Sequence, residues 1–152
     1  MSPRRLAVFS VFLLLGAPAL LVADSEPPEV SAGSPAVVAY YFHGDVRCRT
    51  CLLLEEMTLC AVRDSFPESL GDGSLGLEVV NFQDEGKQHF ADSFDLKHQS
   101  VVLASYEEDK IRRWKNLEQI WELYDKPRDF DAYIVAEINS FLDDGGQEPG
   151  SD

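Results

Sequence analysis

An unbroken apolar run, Ala36-Val37-Val38-Ala39-Tyr40-Tyr41-Phe42, ends in a short turn, His43-Gly44-Asp45, and is soon followed by Cys48-Arg49-Thr50-Cys51. This conjunction constrains the fold more than anything else in the chain. A run that is apolar at every position suits a strand buried on both faces. The cysteines then open a helix-like stretch that continues to about Phe66. A strand, a turn and a C-x-x-C at a helix start form the geometry of a redox-active dithiol. The helix N-terminus presents unpaired N–H groups to the first sulfur and favours its thiolate, the form that attacks disulfides. Arg47 and Arg49 flank Cys48 and act in the same direction, with Asp45 opposing them weakly.

The remaining elements follow in a regular order. Pro67 and Gly71-Asp72-Gly73-Ser74 read as a loop, Leu75–Phe82 as strand two and Asp84–Phe94 as helix two. Ser100–Tyr106, rich in β-branched residues, reads as strand three. Glu108-Asp109-Lys110 makes a tight turn into strand four, Ile111–Lys115. Asn116 is placed to cap a last helix, with Gln119 at the capping-box position, and the helix reaches about Leu142 with a break or kink at Pro127. A right-handed βαβ unit lays helix one across a sheet face. Chemistry in such sheets gathers at strand carboxyl ends, and Cys48 lies just beyond that end of strand one.

The β-α-β-α-β-β-α order, with Cys48-Arg49-Thr50-Cys51 after strand one, resembles the thioredoxin fold in nearly minimal form, an α/β fold with a central mixed sheet; the resemblance covers Ala36 to Leu142. The segment from Tyr40 to Cys51, with Trp114-Lys115-Asn116-Leu117 and Ile120-Trp121, is similar to a small thioredoxin-like family labelled nitrophenyl-compound nitroreductase subunits. The resemblance implies thiol–disulfide exchange: Cys48 attacks and Cys51 resolves. The chain departs from thioredoxin at three places. Arg49-Thr50 stands where Gly-Pro is usual, with Arg47 where a Trp precedes the cysteines. Phe42 stands where the family carries a buried Asp. The stretch His98-Gln99-Ser100-Val101 has no proline where the family places a cis-Pro facing the dithiol, which leaves Ser100 at that site and leaves metal or cluster binding open.

The N-terminus reads differently. Arg4 and Arg5 precede the apolar Leu6–Leu15, and Gly16, Pro18 and Ala23 resemble a cleavage region. Residues 1–23 are therefore expected to be a secretory signal, giving a periplasmic or secreted protein; an uncleaved signal would instead anchor it to the membrane. Residues 24–35 read as a flexible linker, 36–142 as the thioredoxin-like domain and 143–152 as a disordered acidic tail. The whole chain carries a net charge of −14; without the leader it has 11 basic and 27 acidic residues, a net −16. Such a balance argues against binding nucleic acid or anionic lipid through charge.

Cysteines outside the cytosol usually pair, and Cys48 with Cys51 is the natural pair among three. Cys60 shares a helical face with Leu53 and Met57 and is expected in the core, an intermolecular link being the alternative. The supporting candidates are Arg47, Arg49, His43, Asp45 and Ser100. His43 is either a neighbour of the sulfurs or a plain turn histidine; His89 and His98 read as surface residues, Trp114 and Trp121 as packing residues. A structural bridge and a metal site are the other chemistries open to the dithiol, although no second C-x-x-C completes a zinc set. No Gly-rich phosphate loop is present, so no cofactor is expected on this chain. Its expected partners are a protein thiol or disulfide and a second redox protein that resets the dithiol. The alternative is an electron-relay subunit of a larger assembly, whose other subunit would bind any flavin or nicotinamide.

Overall fold

The structure, a computed structural model, describes residues 36–145. The expected leader and linker, and the tail beyond Gly145, lie outside the described residues. In chain order the elements are β1 (Val37–His43), α1 (Arg49–Ser65), α2 (Pro67–Asp72), β2 (Leu75–Asn81), α3 (His89–Ser93), β3 (Ser100–Glu107), β4 (Lys110–Asn116), α4 (Ile120–Leu123) and α5 (Pro127–Gly145). The strands form a four-stranded mixed sheet in the order β2-β1-β3-β4. β1 pairs parallel with β2, and β3 lies antiparallel to both β1 and β4. This is the α/β, thioredoxin-like arrangement that the order of elements implied.

Burial explains why β1 is apolar throughout. Val37, Ala39 and Tyr41 point into one core with Leu54, Ala61 and Val62 of α1 and with Phe130, Ile134, Ile138 and Phe141 of α5. Val38, Tyr40 and Phe42 alternate onto the opposite face, where they meet Val80, Phe94, Leu96, Val102 and Ala104. The first face carries two long helices. The second is covered mainly by an aromatic cluster around the short α3, with Phe94 5.6 Å from Phe42 and 5.9 Å from Tyr40 between ring centres.

Several boundaries differ from expectation, each for a local reason. Pro67–Asp72, read as a loop, is a short helix that Pro67 opens and Gly73 ends with φ +79°. Helix two is only His89–Ser93; the Asn81 side chain donates to Asp84 Oδ1 and accepts the Gln83 backbone N–H in a turn, and Gly86 has φ +81°. Asn116 does not cap a helix but closes β4 opposite Val102. The last helix is divided, with α5 beginning at Pro127, where the missing N–H costs nothing. It continues through Asp143 and Asp144 to Gly145, past the expected end at residue 142.

Candidate functional site

Cys48 is the N-cap of α1. Its backbone is extended (φ −80°, ψ 164°), and its Sγ accepts the Cys51 backbone N–H at 3.0 Å. The sulfur thus occupies the place where an N-cap oxygen usually sits, facing the positive end of the helix. Cys48 and Cys51 are joined by a disulfide. Cys48 is exposed, whereas Cys51, one turn into α1, is buried at 3% exposure. The two sulfurs therefore differ in access: a partner reaches the first and not the second.

The loop carrying Cys48 is held from two sides. On the β2 side, Phe82 N–H donates to the His43 carbonyl (3.0 Å), Asp45 N–H donates to Gln83 Oε1 (2.7 Å), and Asn81 Nδ2 donates to Asp45 Oδ1 (2.8 Å). Gly44 permits the approach, because a Cβ there would lie 2.6 Å from Gln83 Oε1. On the β3 side, Gln99 Nε2 donates to the Val46 carbonyl (3.1 Å), and the Gln99 carbonyl accepts Trp121 Nε1–H (3.2 Å). No peptide bond among the described residues is cis. Beside the cysteines, Val46 (80%) and Leu52 (51%) are exposed apolar side chains.

Beneath the dithiol lies a polar cluster. Tyr41, fully buried, donates its hydroxyl to the Cys51 carbonyl at 2.5 Å. Burial, reinforced by the nearby Glu55 carboxylate and opposed by Arg47, pushes the Tyr41 phenol up to about 12. The Arg47 guanidinium donates through Nη2 to Glu55 Oε2, while Nη1 lies 3.2 Å from His43 Nε2. His43 Nδ1 lies 2.9 Å from the Gly44 carbonyl, which can only accept, so the Nδ1–H tautomer satisfies both contacts and leaves Nε2 as acceptor for Arg47.

The structure thus gathers Cys48, Cys51, Arg47 and His43 into one cluster, with Asp45 in the same loop and Arg49 exposed in the first turn of α1. Ser100 is different. It is buried, and its hydroxyl donates to the His98 carbonyl (3.1 Å) and accepts from Asn116 Nδ2 (3.4 Å), so it braces the β3 entry rather than contacting sulfur. Cys60 is not in the core but exposed on the outer side of α1. Trp114, read as a packing residue, is 40% exposed, with its ring edge against Phe94. His89 and His98 are exposed. Tyr41, Glu55, Gln83 and Gln99 were not singled out as supports. Only Glu55 left a usable signal, four residues after Cys51 on the same helical stripe.

Among the described residues, no group of three or more His, Cys, Asp or Glu side chains is arranged to hold a metal ion. A cavity of about 410 Å³ opens on the other sheet face, lined by Val38, Tyr40, Glu78, Phe90 and Tyr106 among others, and shares no residue with the dithiol cluster.

No family model and no curated protein matches the sequence. One solved structure, described as that of a malarial protein, is 14% identical and covers 70% of this chain and 98% of its own, with a TM-score of 0.43. That likeness is too slight to carry an argument; strand order and the geometry of the two cysteines carry it here.

Proposed function

We propose that this chain is an exported thiol–disulfide oxidoreductase acting through Cys48 and Cys51. The observation that carries the reading is the asymmetry of the pair: an exposed N-cap sulfur that accepts a helix N–H, joined to a buried sulfur one turn inside. In the reducing direction, the Cys48 thiolate attacks one sulfur of a partner disulfide, forms a mixed disulfide and expels the other partner sulfur as thiolate. Cys51 then gives up its proton and attacks Cys48 Sγ, releasing the second partner thiolate. Two electrons leave the dithiol, and the partner's two thiolates take one proton from Cys51 and one from the solvent that received the Cys48 proton on ionisation. A second redox protein resets the pair. Export is supported by the basic, apolar and small-residue succession over residues 1–23. The likeness of Tyr40–Cys51 to the nitroreductase-subunit family supports a redox role without assigning a substrate.

The test is a pair of traps. Cys51→Ser should accumulate mixed disulfides through Cys48, and Cys48→Ser should not. Reduction of insulin should be lost in Cys48→Ser. Full activity in both single variants would end the proposal.

A further inference from the structure

The two arginines beside Cys48 do not act alike. Arg49 is exposed at the helix start, while Arg47 is turned toward the second turn of α1, where Glu55 binds it and His43 Nε2 takes its other terminal nitrogen. Arg47 Nε is shielded from solvent without a hydrogen-bond partner. A shielded, unsatisfied donor on a cation is costly, so the carboxylate must offset that cost to hold the guanidinium there. The field of Arg47 and that of Glu55 act together on the phenol beneath Cys51, with opposite signs.

We propose that Glu55 is a positioning residue that sets the redox poise of the dithiol: it clamps Arg47 against α1, with His43 as second restraint, and so withholds a positive charge from the Cys48 thiolate. This inference rests on the exchange reading above and names a control on that same site. The charged and titratable groups nearest the leading sulfur along the chain are His43, Asp45, Arg47, Arg49 and, from α1, Glu55 and Glu56, and the Tyr41 phenol donates to the Cys51 carbonyl. Of these, Arg47 and Glu55 form an ion pair whose charges cancel at a distance. Breaking the clamp frees a cation on the residue next in sequence to Cys48.

The experiment measures the Cys48 thiol in the reduced protein, by thiolate absorbance against pH, and the dithiol equilibrium against glutathione. Four forms are compared: the native chain, Glu55→Gln, Arg47→Gln and the double variant. Glu55→Gln should raise the thiolate-to-thiol ratio of Cys48 about tenfold, the scale of an opposite charge moving close to an acid. The disulfide should become more oxidising by the same factor, about 30 mV for a two-electron couple. Arg47→Gln should move both values the other way only slightly, because the clamped guanidinium adds little to the thiolate, and the double variant should lie close to the native protein. Removing Glu55 where Arg47 is already gone should shift the ratio only weakly, through its direct charge. Equal shifts from Glu55→Gln with and without Arg47 would overturn the clamp, since the carboxylate would then act alone. No shift in either background would overturn it as well. A purely structural role would lower unfolding midpoints without these opposed changes in acidity. Failure of the exchange reading looks different: the native protein would not turn over disulfides, whereas the Cys48 titration remains measurable.

Discussion

Tyr41→Phe offers a sharp test of the site's foundation, because the substitution keeps the ring and removes one oxygen. Tyr41 is fully buried, and its hydroxyl donates to the Cys51 carbonyl at 2.5 Å. That carbonyl also lies within the ladder of α1, so losing the phenol does not orphan it. The cost at neutral pH is therefore that of one net hydrogen bond, about 1 kcal/mol, rather than the larger cost of an unsatisfied buried group. Alkaline pH reverses the comparison. The Tyr41 phenol is pushed up to about 12, first by burial and then by Glu55. An unfolded tyrosine ionises near 10, so between about pH 10 and 12 the unfolded chain binds fewer protons than the folded one. The raised pKa thus contributes stability that is present below pH 10 and lost as pH rises through 12. Two pH units correspond to roughly 2–3 kcal/mol. Phenylalanine does not titrate, so the variant escapes this loss, and the two stability curves should cross near pH 11, to the accuracy of about 1 kcal/mol for the hydrogen bond. Tyr40 and Tyr133, also shifted upward, contribute equally to both proteins and cancel in the difference. Urea unfolding of the oxidised proteins at a series of pH values measures both effects while keeping Cys48 and Cys51 from titrating. Parallel curves up to pH 12 would refute the argument, and so would identical stability at pH 7.

Phe94→Ala should destabilise the domain by about 3–5 kcal/mol, because Phe94 is fully buried among Tyr40, Phe42 and Phe90 with Trp114 edge-on; chemical denaturation reads the loss. Cys60→Ser should change stability by no more than about 0.5 kcal/mol and leave disulfide exchange intact, as expected for an exposed side chain. Arg113→Ala removes an exposed ion pair with Asp144 and a guanidinium 4.1 Å from the Phe141 ring centre; the loss should be about 1 kcal/mol and persist in high salt, because the ring contact is screened less than the ion pair.

What the sequence disclosed follows physical range. β1 was legible because both its faces are buried, which leaves no polar position to blur it. The cap position of Cys48 was legible because a helix start depends on neighbouring residues alone. Cys60 was misplaced because α1 carries two apolar stripes. Leu53, Met57 and Cys60 form one, while Cys51, Leu54, Thr58, Ala61 and Val62 form the buried one. Periodicity identifies both stripes; only packing against β1 and α5 selects between them. Thr58 enters the buried stripe despite its hydroxyl because it donates to the Leu54 carbonyl at 2.7 Å. Helix two was read too long because the polar residues from Asn81 to Asp84 serve a distant loop, through Asp45, rather than a helix start.

The electrostatics of the dithiol show the same limit more sharply. Counting charges near Cys48 in the sequence credits Arg47 and Arg49 equally to its thiolate. In the folded chain Arg47 is ion-paired with Glu55, eight residues away, and its second contact goes to His43 on the strand side. What remains close to the leading sulfur is the helix terminus, expressed as the Cys51 N–H at 3.0 Å, and the exposed Arg49. The helix contribution is fixed by the backbone and is present whenever α1 is formed. That of Arg49 is open to water and weakens with salt. The acidity of Cys48 should therefore fall into a salt-insensitive part from the cap and a salt-sensitive part from Arg49, with Arg47 held in reserve. Titrating the reduced thiol at low and high ionic strength in Arg49→Gln and in the native protein separates the two: the salt dependence should nearly vanish in the variant, while most of the displacement from an ordinary thiol remains. If the variant instead lost the whole displacement, the helix terminus would contribute little, and Arg49 would set the chemistry of the exposed sulfur.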